Sequence, residues 1–212
     1  MPATPPDSRG ARRTYQSALR SERAGDTRVR IKTAALQLFG SRGFTSTTIA
    51  DIAAASGVSA QTVYATFKSK GGIVKAMLAE LEDNADASHW RAQVQQAQTP
   101  TEMLTAFAQW TTVLFSTSRI SLQASREAIS DPTLLELQQE GDRHRRAGVG
   151  ALVGRLAVAG DLRADLTQEH AADRMWMLTG LELYLSSTTA CGWTDDEYAA
   201  WLAELLCQQL LG

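Results

Sequence analysis

Between Thr45 and Lys70 two short apolar repeats flank a single glycine, and few arrangements satisfy that spacing. Thr48 is a good N-cap, and Ile49, Ile52 and Ala53 follow it at helical spacing. Gly57 falls where this helix must stop, at a position that tolerates a left-handed backbone. Val58 is apolar and suits the angle between two helices, and Ser59 caps the second. Val63 and Phe67, four apart, point to a core, while Gln61, Tyr64, Ala65 and Lys68 fall on the opposite face. A helix with small and polar residues outward, backed by another helix, is a helix-turn-helix arrangement.

A longer pattern surrounds this stretch. Leu38-Phe39 leads to Gly43-Phe44 and Thr47-Thr48. Ile52-Ala53, Gly57-Val58-Ser59, Thr62-Val63-Tyr64, Phe67 and Ser69-Lys70 follow. In order and spacing it resembles the TetR family of bacterial repressors. The resemblance implies a DNA-binding head, a helix joining head to body, and a body that binds a small effector and pairs with a second copy. Two residues depart from the pattern. Gln61 stands where many members carry Gly, on the face turned to DNA. Gly71-Gly72 stands where a charged residue usually opens the next helix.

The net charge of −2 hides an asymmetry. Residues 1–80 hold 12 Lys and Arg against 5 Asp and Glu, a balance of +7; residues 81–212 hold 9 against 18, a balance of −9. Only the first part suits phosphates. The N-terminus has no apolar run of the signal-peptide kind, and no segment approaches the roughly 20 apolar residues of a membrane span. Two cysteines, Cys191 and Cys207, make neither a disulfide framework nor a metal set. The expectation is a cytoplasmic protein with no membrane partner.

Residues 1–26 form an expected flexible basic arm, although Thr14 to Arg23 could extend into helix. It is either a tail without a role or an arm whose Arg12, Arg13, Arg20 and Arg23 reach DNA. Residues 27–70 are the expected DNA-binding domain and 71–212 the effector-binding and dimerisation domain. Thr27 would cap helix 1, which carries Ile31, Ala34, Ala35, Leu38 and Phe39 to Gly40. Ser69 would cap a fourth helix with Ile73, Val74, Met77, Leu78 and Leu81.

The remainder predicts helices throughout and no strand, so the fold class is all-α. Thr99-Pro-Thr-Glu102 is a capping box opening a helix with Met103, Leu104, Phe107, Trp110, Leu114 and Phe115. Ser118 would start a short helix to about Ile129. Asp131-Pro132 opens a long one ending at Gly160. Thr167 caps a helix carrying Met175 through Tyr184, and Thr194-Asp-Asp-Glu197 caps the last. Gly160-Asp-Leu-Arg163, Ala171-Ala172 and Gly180-Leu181 also resemble the C-terminal part of many family members.

Several features carry two meanings. Phe107, Trp110, Phe115, Trp176 and Tyr184 would line a ligand cavity or serve as plain core. Arg143 to Arg146 would bind an anion or form a solvated face. His89, His144 and His170 lack metal spacing. Gly148, Gly150 and Gly154 lie inside a helix and suit close packing rather than a nucleotide loop. No nucleophile is paired with a base, so no enzyme, cofactor or metal is expected.

The resulting expectation is a ligand-controlled repressor that binds double-stranded operator DNA as a homodimer and leaves it on binding a largely apolar effector. A helical small-molecule-binding protein without operator recognition is the alternative. DNA contacts are expected from Thr48, Ser59, Ala60, Gln61, Thr62, Tyr64, Lys68 and Lys70. The effector is expected among Phe107, Trp110, Leu122, Trp176 and Thr179, with Arg126 and Glu127 as nearby charges. The dimer interface is expected at Gly180, Tyr184, Trp201, Leu202 and Leu205, with Ser186 and Ser187 easing close approach.

Overall fold

The computed structural model describes residues 8–128 and 131–212, with side chains from Glu22 onward except Thr133. Among these residues every regular element is helical. The chain divides into two compact units, one ending at Ile73 and one running from Val74 to Gly212.

The first unit is built on α1 (Ser8–Arg42), α2 (Ile49–Ser56), α3 (Ala60–Phe67) and the start of α4 (Lys70–Leu78). Helix α1 begins well before Thr27, so residues 8–26 of the expected arm are helical; residues 1–7 lie outside the described residues. Thr27 is therefore not a cap. It sits mid-helix, its hydroxyl donating to the Arg23 carbonyl at 2.8 Å. The expected stripe does form the core, with Ile31, Ala34, Ala35 and Phe39 buried against Ile52, Ala53, Val63 and Phe67.

Gly43, at φ 81°, turns the chain out of α1, and Phe44 folds back onto Phe39 with ring centroids 5.3 Å apart. Gly57 closes α2 in the left-handed region, where its N–H and that of Val58 return to the carbonyls of Ala54 and Ala53. Ser69 caps α4 as expected, its hydroxyl accepting from the Gly72 N–H at 2.9 Å. Gly72 is more than a loose first turn. A Cβ there would lie 1.9 Å from the Phe67 carbonyl oxygen, so only glycine lets α4 approach the end of α3 this closely.

The second unit continues α4 and adds α5 (Leu81–Asn84), α6 (Ala87–Gln96), α7 (Pro100–Glu127), α8 (Pro132–Ala159), α9 (Gln168–Leu178), α10 (Leu181–Leu185), a π-helical turn (Ser186–Ala190) and α11 (Asp195–Leu210). Leu81 belongs to α5, not to α4. Thr99 accepts from the Glu102 N–H, but the Glu102 carboxylate reaches the Gln98 N–H, so the expected box is shifted by one residue. The box at Thr194 and Glu197 is complete.

Ser118 starts no helix. It is buried in the middle of α7, which runs unbroken for 28 residues. The helix from Thr167 is broken instead of continuous: Gly180 is extended, α10 restarts after it, and a π-helical turn follows. The core joins α7, α8, α9 and α11 through Leu104, Phe115, Val153, Leu156, Met175, Tyr198, Leu202 and Leu206. Leu162 and Leu211 form an isolated antiparallel bridge.

The glycines of α8 do not serve close packing. A Cβ at Gly148 or Gly150 would meet nothing within 4 Å, and one at Gly154 only a glutamine side chain at 3.5 Å. No described helix is long and apolar enough to cross a membrane.

Candidate nucleic-acid interface

Two capped helix starts flank the turn at Gly57. Thr48 and Asp51 form a closed box: the Asp51 carboxylate accepts from the Thr48 N–H at 2.9 Å and from its hydroxyl at 2.6 Å. Those bonds hold the Asp51 carboxyl below its ordinary range. The N-terminus of α2 thus already holds an anion, and the one donor of the Thr48 hydroxyl is committed. Helix α3 is different. Its first turn has no acid, Ser59 accepts from the Thr62 N–H at 3.1 Å, and the two hydroxyls lie 2.9 Å apart. Its positive end is open to a phosphate.

The outward face of α3 is free. Ala60, Gln61, Tyr64 and Lys68 are exposed and Thr62 is half-buried, while Val63 and Phe67 are sunk in the core. Tyr64 keeps 52% of its surface accessible, uncommon for an aromatic ring on so small a head. Lys68 ends α3 at φ 67°, with its side chain outward.

Lys70 does not join this face. Its ammonium turns inward, donates to the carbonyls of Phe44 at 2.5 Å and Thr47 at 2.7 Å, and lies 4.1 Å from the Phe44 ring centre. It fastens the loop leading into α2 and is no phosphate contact in this arrangement. Two arginines of α1 act in the same way. Arg30 donates to the carbonyls of Ser56 and Gly57 at the end of α2. Arg28 stacks on Phe67 at 4.5 Å and reaches the Thr66 carbonyl near the end of α3. Helix C-termini offer unpaired carbonyls and negative potential, which cations satisfy. Part of the basic excess therefore holds the head together. Nothing in the spacing of these residues marks Arg28 or Arg30 for that task.

In the second unit, the expected effector residues fall into two groups. Phe107 meets Trp110 edge-on at 5.6 Å, and the Trp110 Nε1–H is buried without a partner. Leu122 is half-buried against the core. Trp176 and Thr179 gather around Arg145, whose guanidinium lies 3.2 Å from the Trp176 ring centre. Its Nη1 donates to the Trp176 carbonyl at 2.9 Å and to the Thr179 carbonyl and hydroxyl, both at 3.3 Å. Burial pushes the Arg145 pKa down to about 10, opposed by Asp142 and reinforced by Arg146. The basic run is thus not one solvated face: Arg143 and His144 are exposed, Arg146 pairs with Asp173, and Arg145 turns in.

Of the expected interface residues, Gly180, Tyr184 and Leu202 are buried within this single chain, so they form its own core. Ser187 is buried too, while Ser186 is exposed. The Tyr184 hydroxyl donates to Asp195 at 2.8 Å, and burial together with that bond pushes its pKa up to about 12. Trp201 and Leu205 remain half-buried. No group of His, Cys, Asp and Glu among the described residues is arranged to hold a metal.

A three-helix head that presents a free polar helix face, followed by a separate helical unit, defines a helix-turn-helix DNA-binding protein. The head is a TetR-family domain: residues 31–77 match the model of the bacterial regulatory proteins of the tetR family. No curated protein matches the chain. Three solved structures share the fold along most of its length. The ketosteroid transcriptional regulator KstR2 of Mycobacterium tuberculosis is 19% identical, with 87% of this chain and 95% of that one covered at a TM-score of 0.65. The fatty acid degradation regulator FadR from Bacillus halodurans is 16% identical, with 85% and 94% covered at 0.68. A regulatory protein of the tetR family from Rhodococcus RHA1 is 19% identical, with 87% and 96% covered at 0.68. The chain is a transcription regulator of the TetR fold.

Proposed function

We propose that this protein is a repressor that binds a palindromic operator as a homodimer and releases it on binding a small, largely apolar effector. The observation that carries the reading is the exposed face of α3. Gln61 is set to bond adenine through both amide groups, Tyr64 to reach a phosphate or a thymine methyl, and Ser59, Thr62 and Lys68 to hold phosphates with the α3 N-terminus. Thr48 shapes the start of α2 instead of donating to DNA.

Pairing brings two such faces to half-sites about one helical turn apart, roughly 34–36 Å. Trp201 and Leu205, half-buried on α11, are the interface residues that a single chain leaves available. Helix α4 carries the boundary between the two units, so an effector in the second unit acts on the head through it. The apolar side chains of α7 and α9 support a largely apolar effector, a class that the ketosteroid and fatty acid regulators of similar fold also bring to mind.

The test is selection from a random DNA duplex pool by the full-length protein. A two-fold symmetric site should emerge, and Tyr64→Ala should abolish its selection while leaving the thermal transition in place. Recovery of no sequence preference, with a folded protein, would leave the helical binding protein as the better reading.

A further inference from the structure

The inward face of α7 repeats every seven residues as Leu104, Thr111, Ser118 and Ser125, all buried. Seven residues make about two helical turns, so these side chains lie in one row. The facing row of α8 is Gln138, Arg145 and Leu152. Its register against α7 is pinned at one point, where the Gln138 amide donates to the Ser125 carbonyl at 2.9 Å and hydroxyl at 3.1 Å. Helix α8 begins at Pro132, soon after α7 ends at Glu127, so the two run antiparallel. Two turns back along α7 from Ser125 is Ser118, and two turns along α8 from Gln138 is Arg145. They share a level.

At the first level donor and acceptor are matched. At the second they are not. Ser118 keeps only 5% of its surface accessible, and its hydroxyl has no hydrogen-bond partner. Arg145 offers Nη1 to three oxygens of α9 and its cap, while its Nε and Nη2 edge makes no hydrogen bond in the structure. That edge is the planar fork that matches a carboxylate with two parallel bonds. The only acid that acts on this guanidinium to any clear extent is Asp142, one turn back on the same helix, and Asp142 is exposed. Nearby, the buried Trp110 indole N–H is a further donor without an acceptor, two turns before Ser118 on α7. A buried serine hydroxyl, an indole N–H and half of a guanidinium all call for an acceptor, and most strongly for a negative one.

We propose that Arg145 and Ser118 form the head-group subsite of the effector site, and that the effector is an apolar molecule bearing one carboxylate. The proposal rests on the second unit being the sensing unit. The carboxylate takes the fork of Arg145 and the hydroxyl of Ser118, and the apolar remainder lies along the aromatic side chains of α7. Because Nη1 of Arg145 is bound to the end of α9, occupation of the fork also fixes the break between α9 and α10.

The test uses the full-length protein and calorimetry with dodecanoate and naphthoate as probes, beside their methyl esters and dodecylammonium. The acids should bind, and the esters and the amine should bind at least about tenfold more weakly, the scale of a charge-assisted pair. Arg145→Lys should lose roughly tenfold or more for the acids and little for the esters, because a point charge replaces the fork. Ser118→Ala removes an unsatisfied hydroxyl, so it should leave the thermal transition unchanged or raise it while weakening the acids several-fold. This pairing of unharmed stability with lost affinity separates a binding role from a structural one. Equal binding of acid and ester, unchanged acid affinity in both variants, or no saturable binding of either acid would overturn the proposal. Operator release by a neutral or cationic ligand while the acids fail to bind would sink this inference and leave the repressor reading intact. Acid binding as expected with no DNA binding at all would do the reverse.

Discussion

The head and α8 use glycine in opposite ways. At Gly57 and Gly72 the backbone has no alternative. The first sits at φ 65° with Arg30 packed against it, and the second touches the carbonyl end of α3. Along α8, Gly141 and Gly148 are exposed, negative in φ, and surrounded by open space. The same residue type therefore fixes geometry in one unit and loosens a helix in the other. A DNA-reading surface must present Gln61 and Tyr64 at a set angle, which rewards rigid turns. A sensing unit must change state, and a helix of low intrinsic stability suits that need.

The sharpest way to break this comparison is Gly72→Ala. The added Cβ would overlap a backbone oxygen, which no rotamer change relieves. The head should lose about 3 kcal/mol or more and DNA binding should vanish. Denaturation followed through the head, for example by hydrogen exchange at Val63 and Phe67, reads the effect. A stable Gly72→Ala head would show that α4 can retreat from α3.

Lys70→Ala comes next. Two inward carbonyls lose a charged donor, at a cost of about 2 kcal/mol to the head. Once folded, the variant should keep the wild-type dependence of DNA affinity on salt. Lys68→Ala should do the opposite: unchanged stability, and a salt slope lower by about one unit. Equal slopes for wild type and Lys68→Ala would remove Lys68 from the phosphate contacts.

These pairs also show what could be read from the sequence. Thr48, Gly57, Ser59, Val63 and Phe67 were legible because caps, turns and periodicity are local and each depends on residues within one or two turns. All-helical architecture and the free face of α3 follow from the same local rules. The inward turn of Lys70 and Arg30 was not legible, since a long cation reaches partners 23 to 27 residues away and its charge counts alike in either direction. Helix continuity failed for a related reason. Ser118 resembles a cap in sequence, yet neighbouring helices decide whether the chain breaks there, and they bury it instead. Conversely, Gly180 interrupts a periodicity that runs smoothly through Met175, Leu178 and Leu181.

A smaller effect is expected at the start of α2. The Asp51 carboxyl titrates below its unfolded value in the head, so its contribution is fully present above about pH 4, the unfolded range, and is lost as pH falls through the lower folded value. Thr48→Ala removes the partner. It should cost about 1 kcal/mol near neutral pH and flatten this acid-limb dependence. Thermal scans of both proteins through the acid range give the comparison, and parallel curves would mean that the box does not couple to folding.

The smallest change has the opposite sign. Gly148→Ala places a methyl group in open space on a helix whose backbone is already right-handed, so no contact is lost. Alanine restricts the unfolded chain more than glycine does, and the helix should gain about 0.5–1 kcal/mol. If the looseness of α8 serves sensing, the gain in melting temperature should come with a weaker response of DNA binding to effector, because one of two states has been favoured before any ligand arrives. A stabilised protein with an unchanged effector response would show that glycine in α8 is merely tolerated, and the contrast between the two units would then rest on the head alone.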